Sequence, residues 1–552
     1  MTMKRLTYII ALLCLPAAVS AQVVKQVEVS KDYTPSVGTA QKLSPVPDMT
    51  DTVTMQPDID YTITPRSYRT SLLTENFKPA TITYWDYNRS RPFYAKGAFG
   101  VPLTSEADVY VSTYNKDRGY AMAYVNHWGD YRNRKNFAGE KVTSHTAEMS
   151  NRLGGRAGLI LGRHILEVDV YGDQQLRHRY PTTGDRIRFG NMAGKIRIGD
   201  DFTDLRRWNF NVEVGGDMFG DSYAPEDAEK RRQSELSARF ALGKMLGGRH
   251  ILKVHAGYTG VFGSKALADY KDNTIMAGMR YGISGRKLEF LIGADYYHDR
   301  VELSTDSPHY VFPYMRMTWK NTTEGFVPYI EVDGGLRRHD YGSLMRENPY
   351  TLLSDGELAG AVSMPNESYY NGRAGISGRL ARGRFSYNVS AEVTFADDHY
   401  YWYCRDYADY LFAPAYQHSL RIDGSIKFRP VGQFEAELYA GVYAWENYDS
   451  YYSSRPSAQG SLKLRYLGRK VTAGASLDYH NRINWMSMTP AGDFEVIRTP
   501  STFRLGLNVE WRVNDRWAVF AEGRNLTGSK VYEWAYYYYD TPQGVLGAKI
   551  TF

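Results

Sequence analysis

The sequence predicts an all-β protein: a transmembrane antiparallel β-barrel of about 22 strands, preceded by an irregular N-terminal segment. Three observations point there. Apolar and polar residues alternate over segments of about ten residues, longer than the ~5–6 residues of most soluble strands and suited to the ~9–11 that cross a bilayer at a tilt. Tight turns and long loops take turns joining those segments, as in outer-membrane barrels, whose short turns are periplasmic. The chain holds 46 Tyr and 50 Gly in 552 residues, yet no later stretch reaches the ~18 consecutive apolar residues of a membrane helix. Charged residues make up 23%, near the ordinary quarter, so the chain can bury apolar surface and wholesale disorder is excluded.

Residues 1–21 read as a secretory signal peptide. Lys4 and Arg5 precede the apolar run 6–15, and Val19, Ser20 and Ala21 offer small residues before Gln22. Cys14 lies in this leader, so Cys404 is the one cysteine of the processed chain and no intrachain disulfide can form. The net charge of +6 comes from Lys and Arg interleaved with Asp and Glu. No basic patch results, and no nucleic-acid partner is expected.

Residues 22–91 differ from the rest. Pro35, Pro45, Pro47, Pro57, Pro65 and Pro79 punctuate them, with Ser, Thr and Asp between. Proline fixes φ and removes a donor, so this stretch is expected to be extended and irregular, either a partner-binding tail or a filling for the barrel lumen.

Residues 92–552 are the barrel. Segment 164–171 sets Leu166, Val168 and Val170 against Glu167 and Asp169. Segment 434–442 sets Phe434, Ala436, Leu438 and Val442 against Glu435 and Glu437, and segment 503–513 sets Phe503, Leu507, Val509 and Trp511 against Arg504 and Glu510. The apolar face must look into lipid and the charged face into water. Gly-Arg turns recur at Gly162-Arg163, Gly248-Arg249, Gly285-Arg286, Gly383-Arg384 and Gly468-Arg469, with another turn at 321–323. Long loops are expected at 175–186, 217–232, 337–371, 397–417, 445–458, 481–501 and 526–542. Upward strands then begin near 93, 118, 164, 206, 250, 287, 326, 384, 432, 470 and 516, and downward strands near 106, 146, 187, 233, 274, 310, 372, 418, 459, 502 and 543. The even count places both termini in the periplasm. The competing architecture, a soluble propeller or solenoid, would show shorter strands and a stronger repeat.

Inward candidates are Glu167, Asp169, Glu213, Glu289, Glu331, Asp333, Glu435, Glu437, Arg504 and Glu510, an acidic wall that Lys31, Lys42, Arg66 or Arg69 of the N-terminal segment could touch. Aromatic clusters at 369–370, 400–403, 448–452 and 534–539 flank the long loops, which suits a girdle at the membrane interface or contacts with a partner. No catalytic constellation stands out. Asp398 and His399 are adjacent on a strand and so point to opposite faces, and Ser284-Gly285-Arg286-Lys287 falls in a turn without an oxyanion site. The 12 His are scattered without metal-ligand spacing. The chain is expected to be neither an enzyme nor a cofactor binder.

Over residues 92–552 the chain resembles the TonB-dependent outer-membrane receptors of the Bacteroidetes type. Glu522-Gly523-Arg524-Asn525-Leu526-Thr527, with Tyr532 beyond it, looks like that family's penultimate strand running into an Asn-Leu loop. The terminal Ala548-Lys549-Ile550-Thr551-Phe552 is similar to the signal that the barrel-insertion machinery reads, with Phe552 as its aromatic end. Val24-Lys25-Gln26-Val27-Glu28-Val29 is similar to a TonB box, with Val27, Glu28 and Val29 as the partner-binding residues, and the backbone would add as a strand to TonB. The resemblance implies solute uptake across the outer membrane, with TonB or a surface lipoprotein as partner. Residues 22–91 are shorter than the family's globular plug. The alternative is therefore a non-transporting structural or assembly component of an envelope complex, its lumen closed by 22–91 or by a partner. The processed chain should be heat-modifiable in electrophoresis and nearly all β by circular dichroism; recovery as a soluble periplasmic monomer would contradict the barrel.

Overall fold

The computed structural model describes residues 91–552, apart from short stretches that include 114–117, 222–229, 302–308, 321–324, 354–364 and 447–453. The leader and nearly all of 22–91, with Val27, Glu28 and Val29, lie outside the described residues, as does the turn expected at 321–323.

The ring begins and ends with a backbone contact. The first strand, Phe93–Val101, pairs on one side with Thr104–Ser112 and on the other with the last strand, Gln543–Thr551. Phe93 and Phe552 exchange both backbone hydrogen bonds, at 3.0 and 3.1 Å, and their rings stack with centroids 4.6 Å apart. Every strand between pairs antiparallel with its neighbours, so 22 strands close into one barrel. Two further strands, Ile483–Met488 and Phe494–Thr499, form a hairpin outside the ring, joined to it by a short parallel pairing of Tyr403–Arg405 with Met486–Met488. One helix, Tyr341–Glu347, occurs among the described residues.

All the short Gly-Arg turns fall at one end, the turn end. Gly162, Gly248 and Gly383 have φ of 68°, 69° and 81°. That left-handed region is open to glycine and strained for most other residues, which explains the recurring residue. The long connections gather at the opposite, loop end. One expectation fails there. Residues 397–417 are not a long loop: Phe385–Arg405 and Asp409–Phe428 run on as a paired hairpin, with a register shift between Ala396 and His399. The run 400–403 is aromatic and has high strand propensity, and its backbone partners lie directly across at 411–414.

Strand parity sorts the side chains. Leu153, Val170, Ile196, Val214, Leu236, Val509 and Trp511 stand exposed on the outer face, the apolar belt a barrel presents to lipid. The inner face carries the charged residues and many Tyr–Gly pairs. Gly154 lies opposite Tyr124 and Gly158 opposite Tyr120, and a Cβ on either glycine would come within 2.5 Å of the tyrosine ring. The abundance of both residues follows: glycine leaves the floor on which a tyrosine lies flat against the wall.

Because the outward face meets lipid, Val170→Arg should cost about 2–4 kcal/mol of folding stability in bilayers, while Glu167→Gln on the wet face should cost much less. Folding titrations in lipid vesicles check this.

Candidate functional site: the lumen and its capped mouth

The inner wall is a lattice of alternating charge. One row across five strands reads Arg316, Glu331, Arg373, Glu392, Arg421. Another reads Glu167, Arg197, Glu213, Arg239. Asp169 accepts from Arg156 at 2.5 Å, and Tyr120 donates to Glu167. Glu213 faces Arg239 at 3.8 Å, Glu289 pairs with Lys320 at 2.5 Å, and Glu510 pairs with Lys549 at 2.5 Å. Glu435 holds Lys427 at 2.6 Å and Arg429 at 3.1 Å. Glu437 lies opposite Lys427 and Lys463, Asp333 opposite Asn371, and Arg504 opposite Asp478. The expected acidic wall is thus corrected to a mixed one. Opposed charges across strands favour each other by about 0.2–1 kcal/mol per pair, and like charges would repel.

The loop end is stopped by a folded cap. After strand Val327–Arg337 the chain turns inward. Asp340 caps the helix Tyr341–Glu347 by accepting from the Ser343 N–H at 2.8 Å. Gln233 reads both sides of this cap: its Nε2 donates to Asp340 at 2.7 Å, and its Oε1 accepts from the Gly342 N–H at 3.0 Å. Tyr341 donates to Asp221, and Arg346 reaches Asp217 at 3.3 Å. Farther on, Arg231 donates to the Leu353 carbonyl at 2.6 Å, and the Tyr350 carbonyl accepts from the Tyr410 N–H at 3.2 Å. Trp402 Nε1 donates to Glu347 at 3.1 Å. These partners sit on strands as far apart in the ring as Asn209–Asp221 and Asp409–Phe428, so segment 338–353 crosses the mouth.

Packed against that crossing is an aromatic core. Tyr350 stacks on Tyr537 with centroids 3.5 Å apart, and Trp534 meets Trp402, Tyr410 and Trp485 at 5.8, 5.1 and 5.7 Å. Cys404 is fully buried among them. The clusters 400–403 and 534–539 are therefore mostly the core of the cap rather than an interface girdle or a partner surface; 448–452 lies outside the described residues. Buried charge ties the cap down. Arg134 pairs with Glu148 at 2.8 Å, and the Tyr350 hydroxyl lies 3.4 Å from both Glu148 and Glu533. Burial pushes the Glu533 carboxyl up, with the Arg177 guanidinium opposing it. Burial likewise raises the Tyr350 hydroxyl, aided by Glu533 and Glu148.

His399 is part of this packing. It holds Glu367 at 3.0 Å, and Glu367 also takes Arg337, so Asp398 and His399 do not make an acid–base pair. Ser284 lies at the turn end, where Lys320 approaches it at 3.4 Å. Sequence reasoning missed the cap because its residues come from many separate stretches between 134 and 537. The local signal was Asp340 ahead of a helical turn.

No protein-family model matches the chain, and no curated protein is similar in sequence. Solved structures do share the fold. The FrpB iron transporter from Neisseria meningitidis (F5-1 variant) superimposes with a TM-score of 0.64 at 12% identity, over 84% of this chain and 82% of that one. The siderophore receptor PirA from Acinetobacter baumannii gives 0.65 at 9% identity, over 84% and 81%. The ferripyoverdine receptor of the outer membrane of Pseudomonas aeruginosa gives 0.60 at 11%, over 84% and 72%. The chain is a closed 22-strand barrel of the architecture those receptors have.

Tyr350→Ala should loosen the cap by about 3–5 kcal/mol, as for other large aromatics cut from a core. Amide exchange at 341–351 should accelerate sharply while the ladder amides of 164–178 keep their protection.

Proposed function

We propose that the chain is an outer-membrane barrel that admits a solute from outside, in the manner of the TonB-dependent receptors, with its loop end outside and its turn end in the periplasm. The observation that supports this best is a ring wide enough to hold a channel whose one mouth is stopped by a folded, hydrogen-bonded cap. A 22-strand ring leaves a lumen that must be filled to prevent leakage. The cap guards one end, and 22–91 enters the lumen from the other as a reduced plug. Val27, Glu28 and Val29 then offer a strand to TonB, and a surface lipoprotein is the candidate partner at the loop end. The structural neighbours named for iron and siderophores make ferric chelates the first solutes to test.

Planar-bilayer conductance separates the parts. The full chain should be nearly closed. Deleting 31–80, deleting 341–353 and deleting both should raise conductance in that order, and the double deletion should pass ferric chelates. A full chain that conducts as freely as the double deletion defeats the transport reading. Conductance that ignores the 31–80 deletion alone makes 22–91 a partner-binding tail.

A further inference from the structure

On the outer face of the barrel, near the loop end, three polar side chains from three consecutive strands are joined in line. Ser105 belongs to Thr104–Ser112, His127 to Gly119–Asp130 and Asn151 to Glu148–Leu161. Their outward parity follows from Val125 and Leu153, exposed two residues away on the same strands. The Ser105 hydroxyl lies 2.8 Å from Nε2 of His127, and Nδ1 of His127 lies 2.6 Å from Oδ1 of Asn151. An amide oxygen only accepts, so Nδ1 carries the proton and donates to it. Nε2 is then left as the acceptor of the serine proton. That is the tautomer and order of a nucleophile, its base and the group that orients the base.

The surroundings fit the same chemistry. The Ser105 hydroxyl also lies within donating distance of the Tyr131 hydroxyl, at 3.3 Å, and Tyr131 directs its own proton to the weak acceptor Met149 Sδ at 3.8 Å, from which an oxyanion would draw it. Backbone N–H groups of the strands are spent in the barrel ladder, so a side-chain hydroxyl is the available donor for an oxyanion. On the Asn151 side of the three lies an open hollow of about 540 Å³, which Ser105 and His127 do not line. Its outward-parity lining includes Val125, Leu153, Gly172, Gly190, Met192 and Met218, with Asn151 at its rim. Glycines at two positions make the dent, and the flexible methionines line an apolar trough. The trough runs from Asn151 across the following strands, with Leu153, Gly172, Met192 and Met218 paired in one row.

Other outward histidines contrast with His127. His250 and His309 each bond a tyrosine hydroxyl through Nδ1, at 2.7 and 2.6 Å, as interface residues do. Neither has a serine on Nε2 among the described contacts.

We propose that Ser105, His127 and Asn151 form a lipid-facing acyl-ester hydrolase site, whose substrate is an ester-linked acyl chain of a membrane lipid lying against the outer face of the barrel. Ser105 Oγ attacks the ester carbonyl carbon while its proton passes to His127 Nε2, and Tyr131 donates to the oxyanion. The carbonyl-to-alkoxy bond breaks, and His127 returns the proton to the departing alcohol. Water from the interface then attacks the acyl-Ser105 carbon and gives a proton to His127, which restores it to the serine oxygen. The products are a free fatty acid and the deacylated lipid. Ser105 and His127 are the catalytic residues, and Asn151 is a positioning residue.

The test uses the full chain in mixed micelles with either a diacyl glycerophospholipid or an ester-acylated glucosamine lipid, and reads fatty-acid release together with fluorophosphonate labelling. Release from either lipid, with the label on Ser105, supports the site, and the lipid that is cleaved identifies the source. Ser105→Ala and His127→Phe should each lower release by at least ~100-fold, and Tyr131→Phe by about tenfold or more. Asn151→Ala should lower kcat, and Asn151→Asp should restore most of it, which loss of packing alone would not produce. All variants should remain heat-modifiable, since the substitutions lie on the outer face and remove no ladder bond. Absence of labelling, or release that Ser105→Ala leaves unchanged, overturns the proposal and makes the trio a polar patch of the membrane interface.

Discussion

A backbone in lipid has no water to bond, and each unpaired amide there costs several kcal/mol. The remaining features are consequences of meeting that demand. The chain meets it by closure: Phe93–Val101 and Gln543–Thr551, the two strands that would otherwise be bare edges, pair with each other along eight positions. Closure fixes register, and register fixes which side chains face in. One residue of slip would turn Glu167 and Asp169 into the belt and Val168 and Val170 into the lumen. The stacked rings of Phe93 and Phe552 clamp the seam at the turn end, where such a slip would have to begin.

The cap obeys a different rule. Its backbone does not join the ladder, so its polar groups must be met one by one, as Gln233 does for Asp340 and Gly342 and Arg231 does for Leu353. The ring supplies a rigid frame of inward donors and acceptors, and the loop supplies the apolar mass of Tyr350, Trp534 and Tyr537. The cap therefore belongs to the low-stability part of the molecule: its hydrogen bonds are long-range and few per residue, while those of the strands are local and continuous.

Strand pattern was legible because parity is a local property. The starts at 93, 164, 250, 502 and 543 coincide with the observed ones, and most others fall within a few residues. The failures share a cause. The paired hairpin through 400–414 looked like a loop because its support is tertiary, from Ile483–Met488 beside it and the cap beneath it. The wall looked acidic because alternation within one strand reveals its carboxylates and not the arginine opposite. Glu331 sees Arg316 and Arg373 only once three strands are in register. Ser105, His127 and Asn151 are separated by more than twenty residues at each step and have no shared motif, and only the barrel's stagger sets them in line.

The lattice constrains what can fill the lumen. A cation from 22–91 that approached Glu392 would compete with Arg373 and Arg421, which already hold it. Displacing either would give up an ion pair already made in the wall, although Arg421 would keep Asp423 and Arg373 would still face Glu331. Simple charge attraction between Lys31 or Arg66 and the wall therefore gains little. The tyrosine hydroxyls on their glycine floors are part of the same network, as Tyr120 is in donating to Glu167, but each keeps an accepting lone pair. A group that enters this wall without breaking its ion pairs must therefore donate to the tyrosine oxygens rather than compete for the carboxylates.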